Sequence, residues 1–208
     1  MISRILITFI FVSSLSACNF LADTDLSAFG NRESSSDACY TSCLGAVVGD
    51  PCGGGIYVGE FGANSLITTP GNCTDSSFPI CDGATDTLTK EWALSTTVTN
   101  ATNLDDGRVN TNIVLSSGVG STPAVSFCNE MTYGGCSDWY LPARDELIDL
   151  VSAGGAIGGF VENYYWSSTE DIDNTQQAIT RLFSLSTPQP GSAVKTTTTY
   201  FVRCVRLQ

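Results

Sequence analysis

The side chains of this 208-residue chain that could do chemistry are carboxylates, indoles and cysteines, because it contains no histidine. That absence removes Ser-His-Asp and Cys-His nucleophile pairs and every zinc site that needs an imidazole. The carboxylates of interest are Asp138, Asp145, Glu146 and Glu170. Several such oxygens can assemble a calcium site. The competing account of Asp145 and Glu146 is the positive first turn of a helix, and Glu146 is expected to pair with Arg203 or Arg206 of the last strand. Paired carboxylates also serve glycoside hydrolysis, but nothing in the sequence selects a pair. We therefore assign no catalytic residue, no metal ligand and no cofactor, with calcium the one ion considered, and do not read the chain as an enzyme. Trp139 and Trp166 could stack on the apolar face of a sugar, and with Glu170 they are the candidate binding residues. Core packing is the favoured role for both indoles, since large aromatics dominate packing energetics in small domains. Asn103, Asp105 and Asp106, just before Gly107, read as a turn.

The nine cysteines are Cys18, Cys39, Cys43, Cys52, Cys73, Cys81, Cys128, Cys136 and Cys204. An odd number is awkward in an oxidising compartment, and the N-terminus resolves it. Arg4 is followed by the apolar run Ile5 to Val12, broken only by Thr8. This is a signal peptide over residues 1–17, too short to span a membrane. The order Leu15-Ser16-Ala17-Cys18 resembles the lipobox of bacterial lipoproteins, which implies acylation of Cys18 and cleavage before it. Asn19 is not the aspartate of an inner-membrane retention signal, so the expected location is the cell envelope, lipid-anchored, in the outer membrane if the cell has two. Eight cysteines then remain for four disulfides. By proximity the expected pairs are Cys128–Cys136, with Gly134 and Gly135 turning the loop, then Cys73–Cys81 and Cys39–Cys43, leaving Cys52–Cys204.

The elements that must position these residues follow from pattern. Residues 18–37 are a Ser-, Asp- and Asn-rich tether, and 38–54 a cysteine-rich lead-in. From Gly55 the chain becomes strand-like, with Ile56, Val58 and Phe61 inward on one hairpin arm and Leu66 and Ile67 on the next. A first helix is predicted from Pro123 to about Met131, capped by Thr122 or Ser121, and a second from Pro142 or Ala143 to the stop at Gly154-Gly155. Strands are expected at Tyr164 to Ser168, Ala178 to Leu185 and Thr198 to Leu207, with a turn-rich stretch at Thr187 to Ser192. The fold class is α+β, with helices packed on antiparallel strands. Charge narrows the partners: the formal net charge is -12, and with Arg4 in the leader eight basic residues face 21 acidic ones. Such a surface is a poor match for nucleic acid, which is held by Lys and Arg.

Four segments carry a family resemblance: Gly107-Arg108-Val109-Asn110-Thr111, Asp138-Trp139-Tyr140-Leu141-Pro142-Ala143-Arg144-Asp145-Glu146-Leu147, Tyr165-Trp166-Ser167-Ser168-Thr169-Glu170 and Val202-Arg203-Cys204-Val205-Arg206. In order and spacing they resemble the bacterial domain family named after the C-terminal domain of the Legionella collagen-like adhesin, from about Gly55 to the end. The resemblance implies a C-type-lectin-like mixed domain whose N- and C-terminal strands come together, and a surface-displayed, non-catalytic binding lipoprotein, glycan-binding or adhesive. The alternative is a structural or assembly lipoprotein that packs on an envelope protein. The family's adhesin is thought to bind sulfated host polymers as a trimer. This chain has neither a collagen repeat to impose a trimer nor the basic charge for such a ligand. The copper-cysteine chemistry of the related sulfatase-modifying domains has no matching motif among these cysteines.

Overall fold

A computed structural model describes residues 38–74 and 80–208. The segments expected to be signal peptide and tether, with Cys18 between them, lie outside the described residues. The fold is α+β. Strands β1 (Pro51–Cys52), β2 (Gly55–Phe61), β3 (Asn64–Thr68) and β9 (Val205–Leu207) form one sheet in that order, antiparallel throughout. A second sheet runs β4 (Thr89–Glu91), β8 (Thr199–Phe201), β5 (Tyr164–Glu170), β6 (Gln177–Leu182), β7 (Gln189–Val194). Its pairs are antiparallel except β5 with β8, which is parallel. The pairing of β3 with β9 joins the first long hairpin to the end of the chain, as the resemblance implied.

Alternation along the strands sorts side chains onto two cores, because successive residues of a strand face opposite ways. Tyr57, Ile67 and Trp166 enter one core with Trp92, Trp139, Phe127 and Met131; Val58, Leu66 and Tyr165 enter the other with Leu147, Leu150, Val151 and Phe183. Tyr57 and Val58 are both buried because a core lies on each side of β2, whose pairing with β3 shifts register between Tyr57 and Gly59, whereas Ile56 and Phe61, expected inward, are only half-buried.

Three helices are present among the described residues: α1 (Gly107–Ser116), α2 (Pro123–Asn129) and α3 (Arg144–Ile157). Helix α1 was not expected. Its buried positions are Gly107, Asn110, Thr111 and Val114, which have helical spacing but little apolar character. The predicted turn before it is there, since Asn103 Oδ1 accepts from the amides of Asp105 and Asp106. Asp106 then caps α1 through the amides of Arg108 and Val109. Helix α3 does not stop at Gly154-Gly155 but runs to Ile157, with Gly158 as its cap. Gly154 serves packing: a Cβ there would lie 2.5 Å from the Phe183 ring.

Two strand expectations are corrected. Residues 189–194 form β7 rather than a loop. The single strand expected over Thr198 to Leu207 divides between the two sheets as β8 and β9, and the connector Val202-Arg203-Cys204 crosses between them.

All eight cysteines of the described region are paired, as Cys39–Cys136, Cys43–Cys52, Cys73–Cys81 and Cys128–Cys204. Of the expected pairs only Cys73–Cys81 occurs; Cys128–Cys136, Cys39–Cys43 and Cys52–Cys204 do not. The reason lies in Gly54 and Gly134, both with positive φ. A Cβ on Gly134 would lie 1.8 Å from the Gly54 carbonyl oxygen, so only glycine allows these backbones to press together. Gly134 thereby docks the Cys136 loop on the lead-in, where Cys39 waits, and Cys128 on α2 is free to reach the β8–β9 connector.

Candidate functional site

The four family-like segments meet around buried carboxylates. Glu146, on the first turn of α3, is fully buried and reaches back to the Ala143 amide with Oε2 at 2.8 Å. The same oxygen accepts from the Gly107 amide at 3.0 Å, and Oε1 accepts from the Tyr140 hydroxyl at 2.6 Å. No cation faces it among the described ion pairs. Burial pushes its pKa up to about 7, against the lowering effect of the Tyr140, Ala143 and Gly107 donors. Gly107 must be glycine here, because a Cβ would lie 2.5 Å from the Leu141 carbonyl oxygen and 2.7 Å from Glu146 Oε2. Asn110 ties α1 to the same junction, donating to the Asn103 carbonyl at 2.7 Å and to Thr169 Oγ1 at 3.3 Å.

The expected pairing of Glu146 with Arg203 or Arg206 is therefore corrected. Arg203 binds Asp86, with Nη2 at 2.7 Å from Oδ2 and Nε at 3.2 Å, and lies over the Phe160 ring at 4.2 Å. Asp86 also accepts from the Tyr165 hydroxyl at 2.8 Å and the Asn72 amide at 2.8 Å. Arg206 forks onto Asp138 at 2.8 and 3.1 Å and donates to the Gly53 carbonyl at 2.7 Å. Sequence reasoning missed Asp86. The available signal was arithmetic: two arginines in the apolar closing run expected as a strand call for two carboxylates.

Glu170, a predicted binding residue, ends β5 with 1% exposure and pairs with the wholly buried Lys195, which also lies over the Trp92 ring. Its carboxylate accepts from the Thr99 amide at 2.8 Å and Thr99 hydroxyl at 2.9 Å. Burial pushes its pKa up, but Lys195 and Thr99 outweigh it and hold the carboxyl below its ordinary value. Trp166 is fully buried, with its indole N–H on the Lys90 carbonyl at 2.8 Å, and Trp139 is 2% exposed, donating to the Tyr133 carbonyl. None of the three offers a free face to a ligand: both indoles take the core role favoured for them, and Glu170 is corrected from a contact residue to a buried ion-pair partner.

Nor do the predicted carboxylates converge. Asp138 is held by Arg206, Asp145 by its neighbour Arg144, Glu146 by Tyr140 and backbone, and Glu170 by Lys195. The one clustering of metal-ligating side chains among the described residues is Cys39, Cys136 and Asp138. Those two sulfurs are joined to each other, so no thiolate is available there.

Where the motif segments reach the surface they line a groove of about 200 Å³, walled by Arg108, Thr111 and Asn112 of α1, Asn129 at the end of α2, and Ser137 to Tyr140. Arg108 extends over the Tyr140 ring, 6.0 Å from its centroid. A family model for the Lcl C-terminal domain matches residues 79–206, more than half of the chain. The chain belongs to the Lcl C-terminal domain family. The matched span includes α1, both ends of the Glu146 junction, the groove and all of the second sheet, while the first hairpin, which the resemblance also covered, precedes it. Comparison with curated proteins and with solved structures finds no match.

Proposed function

We propose that this Lcl C-terminal domain is a non-catalytic, glycan-binding module of the C-type-lectin-like class, carried on a lipoprotein displayed at the cell envelope. The observation that carries the reading is the fate of the reactive side chains. Glu146, Glu170, Asp86, Asp138, Arg203 and Arg206 are all spent on holding segments together, which is the work of a scaffold, and a groove with Asn112, Asn129 and Ser137 on its rim is left facing solvent. The lipobox-like Leu15-Ser16-Ala17-Cys18 supports the anchor. Among the described residues no helix is long and apolar enough to cross a membrane.

A glycan array probed with the purified protein, with calcium and with chelator, tests the binding. Reproducible saccharide signals in both conditions are the expected result, and a blank array would overturn it. Cys18→Ser tests the anchor, since fractionation should find the variant released and wild type retained; a variant still in membranes would remove the lipoprotein reading.

One observation favours the alternative of a structural lipoprotein on a protein partner. Tyr40, Leu44 and Val47 of the lead-in are 82%, 97% and 66% exposed, and exposed apolar groups of this kind are used in protein interfaces. A blank array together with a crosslinked envelope partner would establish that reading.

A further inference from the structure

We infer that one end of the domain rests on the lipid bilayer that holds its anchor, through a charge-free pole made by the lead-in, the C-terminal end of α3 and the connection from β6 to β7. This rests on the lipoprotein reading above and adds the face that the domain turns to the membrane. The first observation is what the three segments share: none of residues 38–49, 150–161 and 182–194 is charged, in a chain of which 14% are. The fold then brings them together. A Cβ on Gly49 would lie 3.1 Å from the Ala156 carbonyl oxygen, and one on Gly155 would lie 3.4 Å from Leu185 Cδ2. The lead-in therefore touches the end of α3, and the end of α3 touches the connection. Leu150, Val151 and Phe183 of these segments are core, but Leu44, Val47 and Leu185 are 97%, 66% and 82% exposed, and Gly155 and Ala156 are exposed as well. Exposed apolar groups gathered in one patch mark a protein or membrane contact.

Two facts choose the bilayer as the occupant. The chain enters the domain at this pole, and Cys18 stands 20 residues before Ala38, a length that reaches at most about 70 Å when fully extended. A surface linked covalently to its partner meets it at high effective concentration, so a few apolar side chains suffice. The other fact is charge. Among the acidic side chains around the pole, Asp50 accepts from the Val47 amide, Glu60 from the Tyr57 hydroxyl and Glu162 from the Ser184 hydroxyl, and Asp149 shares a shallow dip with Glu60. The three segments contain no Lys or Arg with which to hold anionic lipid. The pole thus suits zwitterionic or neutral headgroups, with apolar side chains entering the boundary of the acyl region. The far end of the same sheet supplies a control. Strand β5 starts at Tyr164, paired with Leu182 near the connection, and ends at Glu170, about 20 Å along. The turn beyond it carries Ile172, 76% exposed, between Asp171 and Asp173.

The test uses the full chain purified from membranes with its acyl chains and reconstituted in phosphatidylcholine vesicles, with and without bromine on the lipid tails. Bromine quenches an indole that reaches the acyl region, and the buried Trp92, Trp139 and Trp166 give a background common to all variants. Leu44→Trp and Leu185→Trp should each add emission that brominated lipid quenches, whereas the emission added by Ile172→Trp should not change. Leu44→Asp in the Leu185→Trp chain should lower the ratio of docked to free domain about tenfold, the weight of one leucine-sized side chain taken from water, while the chain stays with the vesicles. Adding phosphatidylglycerol should lessen the quenching at low salt. Unquenched emission at positions 44 and 185 in a chain that stays with the vesicles would overturn the pole and leave the anchor standing. If that chain also self-associates in sedimentation and Leu44→Asp abolishes it, the occupant is a second copy and the bilayer is excluded. Equal quenching at all three positions would overturn the orientation. A chain that washes off the vesicles and carries no acyl mass would remove the lipoprotein reading and the docking together.

Discussion

Replacing Glu146 by glutamine separates a buried neutral acid from a buried ion pair. In the structure this side chain has three hydrogen-bond donors around it and, among the described residues, no ion-pair partner, and burial raises its pKa from 4.5 to about 7. The folded state therefore holds the proton more tightly than the unfolded chain does. That contribution to stability is fully present below about pH 4.5 and is lost as pH rises through about 7. At about 1.4 kcal/mol for each tenfold change in proton affinity, the whole effect is roughly 3 kcal/mol. Glutamine is neutral at every pH, its carbonyl can keep the Gly107 and Ala143 amides, and its amide can face the Tyr140 oxygen. Chemical denaturation at pH 5 and pH 8 should then show wild type losing stability relative to Glu146→Gln as pH rises. The relative gain at pH 8 approaches 3 kcal/mol, or about 6 to 12 °C in melting temperature for a domain of this size. A gap between the two proteins that does not change with pH, or a variant that loses ground at pH 8, would refute the reasoning and reinstate an ionised, paired Glu146.

Three further outcomes are expected. Gly107→Ala should cost about 1 to 3 kcal/mol in a denaturant melt, because the new Cβ meets backbone atoms of Leu141 and Ala143 that cannot move aside cheaply. Lys195→Met strands Glu170 in the core and should cost about 3 to 5 kcal/mol, with Glu170→Gln in the same chain recovering part of it; strictly additive losses would deny the coupling. Peptide mapping without reduction should recover Cys39 linked to Cys136 and Cys128 linked to Cys204, and a Cys128–Cys136 peptide would contradict the fold.

The fold class was legible in the sequence because strands and two of the helices carry clear patterns. Pro123 opens α2 as expected, and Asp145 and Glu146 do occupy the first turn of α3. Helix α1 was not legible because the face it buries is polar: Asn110 and Thr111 look like surface residues until the segments they bond to are known. The final strand misled for a related reason. Its continuous β-like run from Thr198 to Leu207 hides a crossing between sheets that is set by partners far away, Cys128 for Cys204 and Asp86 for Arg203. The candidate site was legible as motifs but not as contacts. Trp166, Glu170 and Glu146 were singled out correctly as unusual, yet their burial makes them supports, and the exposed Asn112, Asn129 and Ser137 carry no signal until α1 and α2 bring them together.

The central claim is a domain that binds a saccharide and leaves it unchanged. Calorimetric titration of the purified protein with the strongest oligosaccharide from the array, in chelator, followed by mass analysis of the recovered sugar, tests both halves at once. A saturable one-to-one heat with the oligosaccharide recovered intact is the expected result. No heat in chelator, or an oligosaccharide recovered shortened, would contradict it.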